Sequence, residues 1–193
     1  MTNKFNQIIK NIKKIEKQLK IIQKHVKLYN IKNSEETNMK TSITPIKEQI
    51  NVFDVANYIV KEKNIQASNL KLNKLIYYCY AKHLVDYHKK LLPSQVQAWR
   101  FGPVFPELYK TFKKYRDKII INVPNITEAT LNQNQTKIID YIISKYSHLD
   151  TWDLIDKIHN EDPWRDTFPH EKLFSRRPIS DEKILKYYSQ NPI

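Results

Sequence analysis

The chain contains one glycine in 193 residues, Gly102, where ordinary usage would give roughly 13. Glycine supplies the positive φ of phosphate-cradling loops and of primed hairpin turns. A chain this poor in it holds no P-loop, dinucleotide fingerprint, kinase glycine loop or GxSxG elbow. Nucleotide enzymes built on those loops are excluded, and a fold of many tight hairpins is disfavoured. Cysteine is equally scarce. With Cys79 alone, intrachain disulfides and multi-cysteine zinc or iron–sulfur sites are excluded. Long apolar runs are missing too: mean hydropathy is −0.64, and no uncharged stretch approaches the length of a membrane span. The N-terminus, MTNKFNQIIKNIKK, scatters lysines where a signal peptide needs an apolar run. The expectation is a cytoplasmic protein without a membrane span.

What is present suffices for a core, with 40% apolar and 11% aromatic residues. With glycine-rich turns excluded, the expected fold is mainly α, a compact helical domain with at most a short β ribbon. The net charge of +13 is unevenly placed, since residues 1–33 hold nine lysines against Glu16 alone. Heavy use of lysine, asparagine and isoleucine beside only five arginines is also what an AT-rich genome writes. The basic character therefore does not by itself identify a partner.

Residues 1–33 are expected to form a long amphipathic helix. Phe5, Ile8, Ile12, Ile15, Leu19, Ile22, Val26 and Tyr29 alternate in threes and fours, an unbroken heptad seam. Lysines fill its outer positions. Such a helix can pack on its own domain, self-associate, meet a partner helix, or lie along a membrane surface or nucleic acid. Isoleucine at most d positions favours a higher-order or antiparallel bundle over a parallel dimer. Residues 34–44 are polar and non-periodic and read as a linker. Thr44-Pro45 resembles a cap and first helical position, so the main domain is placed at 45–193.

Within that domain, Val52, Val55, Ala56, Ile59 and Val60 predict one helix. Ser68 caps a second, with Leu72, Leu75, Ile76, Cys79 and Leu84 on one face. Pro106 opens a helix, and others are expected at 134–146, at 151–159 with Trp152 inward, and at 181–189 behind Ser180. Ile119–Val123 is the best candidate strand, with 96–101 as its partner. Asp162 and Pro163 read as a cap and first helical position.

The residues disclose no reaction. His148, Asp153, His159, Glu161 and Asp162 crowd fifteen positions, but their spacing matches no compact ligand motif. The carboxylates read as caps and first-turn groups, and His159 as a packing residue. No catalytic residue, metal or cofactor is assigned. Arg100 and Arg176-Arg177 are candidates for anion contacts.

DVANYIV (54–60), LKLNKLIYYCYAKHL (70–84), AWRFGPVFPELY (98–109) and IHNEDPW (158–164) together resemble the SocA-like Panacea domain family over about residues 50–168. Trp99, Gly102, Pro103, Pro106 and Tyr109 in that order are its most specific part. His88-Lys89-Lys90 stand where the family often has a glycine, and Ile158 where a threonine is common. The resemblance implies a mostly helical pan-antitoxin, in a family that includes phage-associated proteins of the GepA type, which neutralises a cognate toxin by direct binding and needs no catalysis or cofactor. It nominates Lys74, Tyr77, Tyr78, Trp99, Arg100, Gly102, Pro103, Tyr109, His159 and Trp164 as partner-binding residues. The rival expectation is a DNA-binding autoregulator or phage-associated interaction protein that uses the basic N-terminal helix.

Overall fold

A computed structural model describes residues 49–127 and 129–193. The heptad seam, the 34–44 linker and the 44–45 boundary lie outside the described residues. Helix α1 (Val52–Asn57) starts behind Asn51, whose side chain accepts from the N–H groups of Phe53 and Asp54 at 2.7 and 3.1 Å. The Asp54 carboxylate accepts in return from Asn51 N–H at 2.7 Å, which completes a capping box. The chain continues through a π turn, Tyr58–Glu62, and Val52, Val55, Ala56, Ile59 and Val60 are buried as their spacing predicts.

Ser68 Oγ accepts from Lys71 N–H and starts α2 (Asn69–Tyr87). Thirteen of its nineteen residues are buried, so this is the central helix and no one-sided stripe describes it. Helices α3 (Pro106–Phe112), α4 (Gln133–Tyr146), α5 (Thr151–His159) and α7 (Asp181–Gln190) pack around it. Asn132 and Gln135 form a second capping box at the start of α4, and Ser180 caps α7 as expected. The fold is mainly α-helical.

Its small sheet differs from the expected ribbon. Strand β1 (Gln97–Trp99) pairs antiparallel with β2 (Gly102–Val104), with Ala98 opposite Pro103, and on its other edge with β3 (Arg177–Pro178). Ile119–Val123 is not a strand. Ile120 N–H donates to Ala67 O at 3.0 Å, Ile120 and Val123 are buried, and Ile121 is exposed. The β-branched run thus anchors an extended connection to the core by single side chains, without a ladder.

Two further expectations are corrected. Trp152 lies on the outer face of α5, 59% exposed, while Leu154, Ile155 and Ile158 face inward. Helix α6 (Asp162–Arg165) has Glu161, not Asp162, at its N-cap position, and the Glu161 side chain makes no cap bond. That carboxylate is turned into the core.

Candidate functional site

Lys74, in the second turn of α2, is fully buried. Its Nζ donates to Pro103 O in β2 at 3.0 Å, and among the described residues it has no carboxylate partner. Desolvation without a counter-charge pushes its pKa down to about 7. Two asparagines on the same helix hold the adjoining chain. Asn73 Oδ1 accepts from Phe105 N–H at 2.9 Å, and Asn69 Nδ2 donates to Tyr109 O at 3.0 Å. The segment from the hairpin to α3 is therefore fastened to α2 through side chains that reach its backbone.

One turn further on, Tyr78 donates to both oxygens of Glu161, at 3.1 and 3.2 Å. Tyr188 of α7 donates to the same carboxylate at 2.6 Å, and Lys157 Nζ stands 3.3 Å from it. The Tyr77 and Tyr188 hydroxyls are 3.4 Å apart. With its single proton on the carboxylate bond, Tyr188 accepts from Tyr77. Burial raises the Glu161 pKa, against the hydrogen bond from Tyr188 and the charge of Lys157. Burial likewise pushes the three tyrosine hydroxyls up, and the Glu161 charge adds to the effect. Helices α2 and α7 and the α5–α6 junction thus meet on one buried carboxylate.

Trp164 joins α6 to the hairpin. Its indole N–H donates to Trp99 O at 2.8 Å, and His159 stacks on its face with ring centroids 3.9 Å apart. The Nε2 of His159 is buried without a hydrogen-bond partner among the described residues, and burial, reinforced by the Lys74 charge, lowers its pKa.

The outer side of the same hairpin forms a groove of ≈ 730 Å³. Trp99, Arg100, Phe101 and Tyr109 form one wall. Lys110, Lys113 and Arg116 follow from the end of α3, and Leu173, Phe174 and Arg176 from the approach to β3. Among the described residues, no aspartate or glutamate lines it. Trp99 and Tyr109 meet edge to face at 4.9 Å, and Phe101 meets Trp152 likewise at 5.9 Å.

The nominated residues therefore fall into two groups. Lys74, Tyr77, Tyr78, Gly102, Pro103 and Trp164 are buried, and His159 is half-buried against Trp164. Trp99 and Tyr109 are half-buried and Arg100 is exposed, and these three face the groove. Sequence reasoning missed Glu161 and Tyr188 as interior partners, and Asn69 and Asn73 as holders of the loop. The one signal for the asparagines was their i, i+4 spacing inside a helix, where asparagine is a poor former.

The geometry defines a mainly helical domain in which a central helix grips a hairpin from within and the hairpin presents a cationic, aromatic groove outside. The family model of the Antitoxin SocA-like, Panacea domain matches residues 72–165. That span holds every nominated residue of the helical domain. Among curated proteins, Antitoxin SocA of Caulobacter vibrioides (strain NA1000 / CB15N) is 35% identical over 83 residues, 42% of this chain and 44% of that protein. The chain thus aligns with less than half the length of that relative. No solved structure matches it. No helix among the described residues is long and apolar enough to cross a membrane.

Proposed function

We propose that this protein is an antitoxin that neutralises a cognate toxin by binding it directly, as a stoichiometric partner and not as an enzyme. The observation that carries the reading is the 35% identity to Antitoxin SocA, within a family match that spans the hairpin and the helices gripping it. Those matched residues are engaged in packing and in presenting a surface, which suits a binding role. In this reading residues 1–33 self-associate or add contacts to the same toxin, and the complex acts in the cytoplasm.

Toxin and antitoxin genes are usually adjacent, so the test is to induce the neighbouring reading frame in a bacterial host, with and without this protein. Growth arrest relieved by co-expression, with the two chains co-purifying, is the expected result. A toxic neighbour that this protein neither relieves nor binds would overturn the reading.

A further inference from the structure

The hairpin groove carries more cation than its own fold uses. Arg100, Lys110, Lys113, Arg116 and Arg176 border it, and none of the five has a carboxylate partner among the described residues. Like charges gathered without counter-ions repel one another and oppose the folded state. Between them stand large apolar groups that the fold leaves in water: Phe174 is 87% exposed, Leu173 65% and Phe101 39%. A lone exposed apolar side chain needs no explanation, but three around one concave, basic surface mark an interaction site.

We infer that this groove is a docking site for an acidic protein segment that carries an aromatic or large aliphatic side chain. Aspartates and glutamates of the segment meet the five cations, and its apolar side chain is covered by Phe101, Leu173 and Phe174. Arginine at three of the five positions favours carboxylates, whose two oxygens match the guanidinium fork.

The ring geometry argues against nucleic acid as the occupant. Sequence-tolerant binding of single strands uses aromatic faces on which successive bases stack. Here Trp99 is edge-on to Tyr109 at 64° and Phe101 edge-on to Trp152 at 85°, so the rings present no row of parallel faces. Leucine and phenylalanine on a single loop suit an apolar anchor better than a phosphate track.

The chemistry of a partner at this surface is tested separately from the growth assay. The probe is a phage-displayed library of random dodecapeptides selected on the full-length protein, followed by fluorescence-anisotropy titration of the winning peptides. Two variants accompany the wild type: Arg100→Glu with Arg176→Glu, and Phe174→Ser. All three positions are exposed, so unchanged thermal melts are expected. Winners should be rich in Asp and Glu and carry at least one aromatic or large aliphatic residue. Their affinity should fall about tenfold or more in each variant, because rim charges and a central apolar anchor both contribute. A selection that returns no acidic peptides overturns the inference. So do acidic peptides bound equally by wild type and variants, or a 20-nucleotide single strand bound more tightly than any peptide. A protein that relieves a toxin in the growth assay yet fails here keeps the antitoxin reading and loses the groove.

Discussion

Lys74 occupies the space in which Gly102 would carry a side chain: a Cβ built on Gly102 falls 2.9 Å from Lys74 Cε and 3.1 Å from its Nζ. Gly102 also has φ +96°, while the turn residues Arg100 and Phe101 keep negative φ. The one glycine of the chain is thus held by two independent demands, one from the backbone after a two-residue turn and one from a lysine arriving from α2. The same pair explains why a buried cation is tolerated. The missing Cβ lets the ammonium reach Pro103 O, a partner that cannot be titrated away.

Gly102→Ala should therefore cost about 2–3 kcal/mol, combining a left-handed backbone for alanine with displacement of a buried hydrogen bond. The backbone part is indifferent to residue 74, and the displacement is not. In a Lys74→Ala background the same substitution should cost about 1 kcal/mol less. A urea double-mutant cycle measures the difference. Strict additivity would show that φ alone holds the glycine.

Lys74 should also set the alkaline limb of the stability curve. Its folded pKa of about 7 lies below its ordinary value of 10.5, so between these the unfolded chain holds more protons than the folded one. Stability must then rise with pH through this window, as the cost of a buried charge disappears. His159, lowered by burial, acts in the same direction at lower pH. Cys79 and Tyr77, Tyr78 and Tyr188 are all raised, and they reverse the trend once the unfolded thiol and phenols ionise, near pH 9 to 10. The denaturation midpoint is expected to climb from about pH 7 to about pH 9, level off, and fall above about pH 10. Lys74→Met should flatten the climb. An unchanged slope in that variant would assign the proton elsewhere.

Glu161 accepts from Tyr78 and Tyr188 in a region closed to water, so removing it leaves two donors to be satisfied by nothing. Glu161→Ala is expected to cost about 3 kcal/mol or more, since each unpaired buried hydroxyl costs about 1–3 kcal/mol. Glu161→Gln keeps the volume and one acceptor oxygen, and about 1 kcal/mol is expected. Equilibrium denaturation of both variants provides the check. An alanine variant no worse than the glutamine variant would mean that packing, not the carboxylate, holds α2 to α7.

Features set by a few neighbouring residues were legible from the chain. Ser68, Ser180 and Pro106 mark helix starts through bonds or ring constraints within one turn, and the structure has them there. The family signature around Trp99, Gly102 and Pro103 was legible for another reason, its resemblance to a known pattern. Its division into interior and surface was not, because spacing alone does not say that Lys74 lies beneath Gly102. Glu161 was misread as a solvated first-turn group because its partners sit 83 and 27 positions away. Distant partners also decide Ile119–Val123, a β-branched run for which β1 had no free edge, being paired on both sides. Of the groove, only Trp99, Arg100, Tyr109 and Arg176 stood out in the sequence. Leu173 and Phe174 sit in a segment with no periodicity, and the fold alone brings them beside the hairpin.

Scarcity of glycine leaves a mark elsewhere. Among the described residues, four others adopt positive φ: Asn64, His88, Arg116 and Asn125. Asparagine and histidine are the side chains more often found in this region, though neither matches glycine, and arginine gains nothing there. His88, at φ 51°, ends α2 at the place usually taken by glycine, and it falls in the segment where the family often has one. Arg116, at φ 55° and ψ −116°, follows Tyr115, whose carbonyl accepts from Lys118 N–H at 2.9 Å. That is the first central position of a type II′ turn, where glycine is the expected residue. His88→Gly and Arg116→Gly should each stabilise the protein, because relief of about 1–3 kcal/mol of strain exceeds the roughly 0.4–1 kcal/mol of added freedom in the unfolded chain. The net gain expected is about 1 kcal/mol each, a rise of a few degrees in Tm. The two differ in consequence. His88 stands outside the groove, so His88→Gly should leave peptide affinity unchanged. Arg116→Gly removes one of the five cations and should weaken acidic peptides while the melt moves upward. Opposite shifts in stability and affinity from a single substitution would show that the strained backbone at Arg116 is maintained for the charge it carries. Parallel losses would show that the turn itself needs arginine.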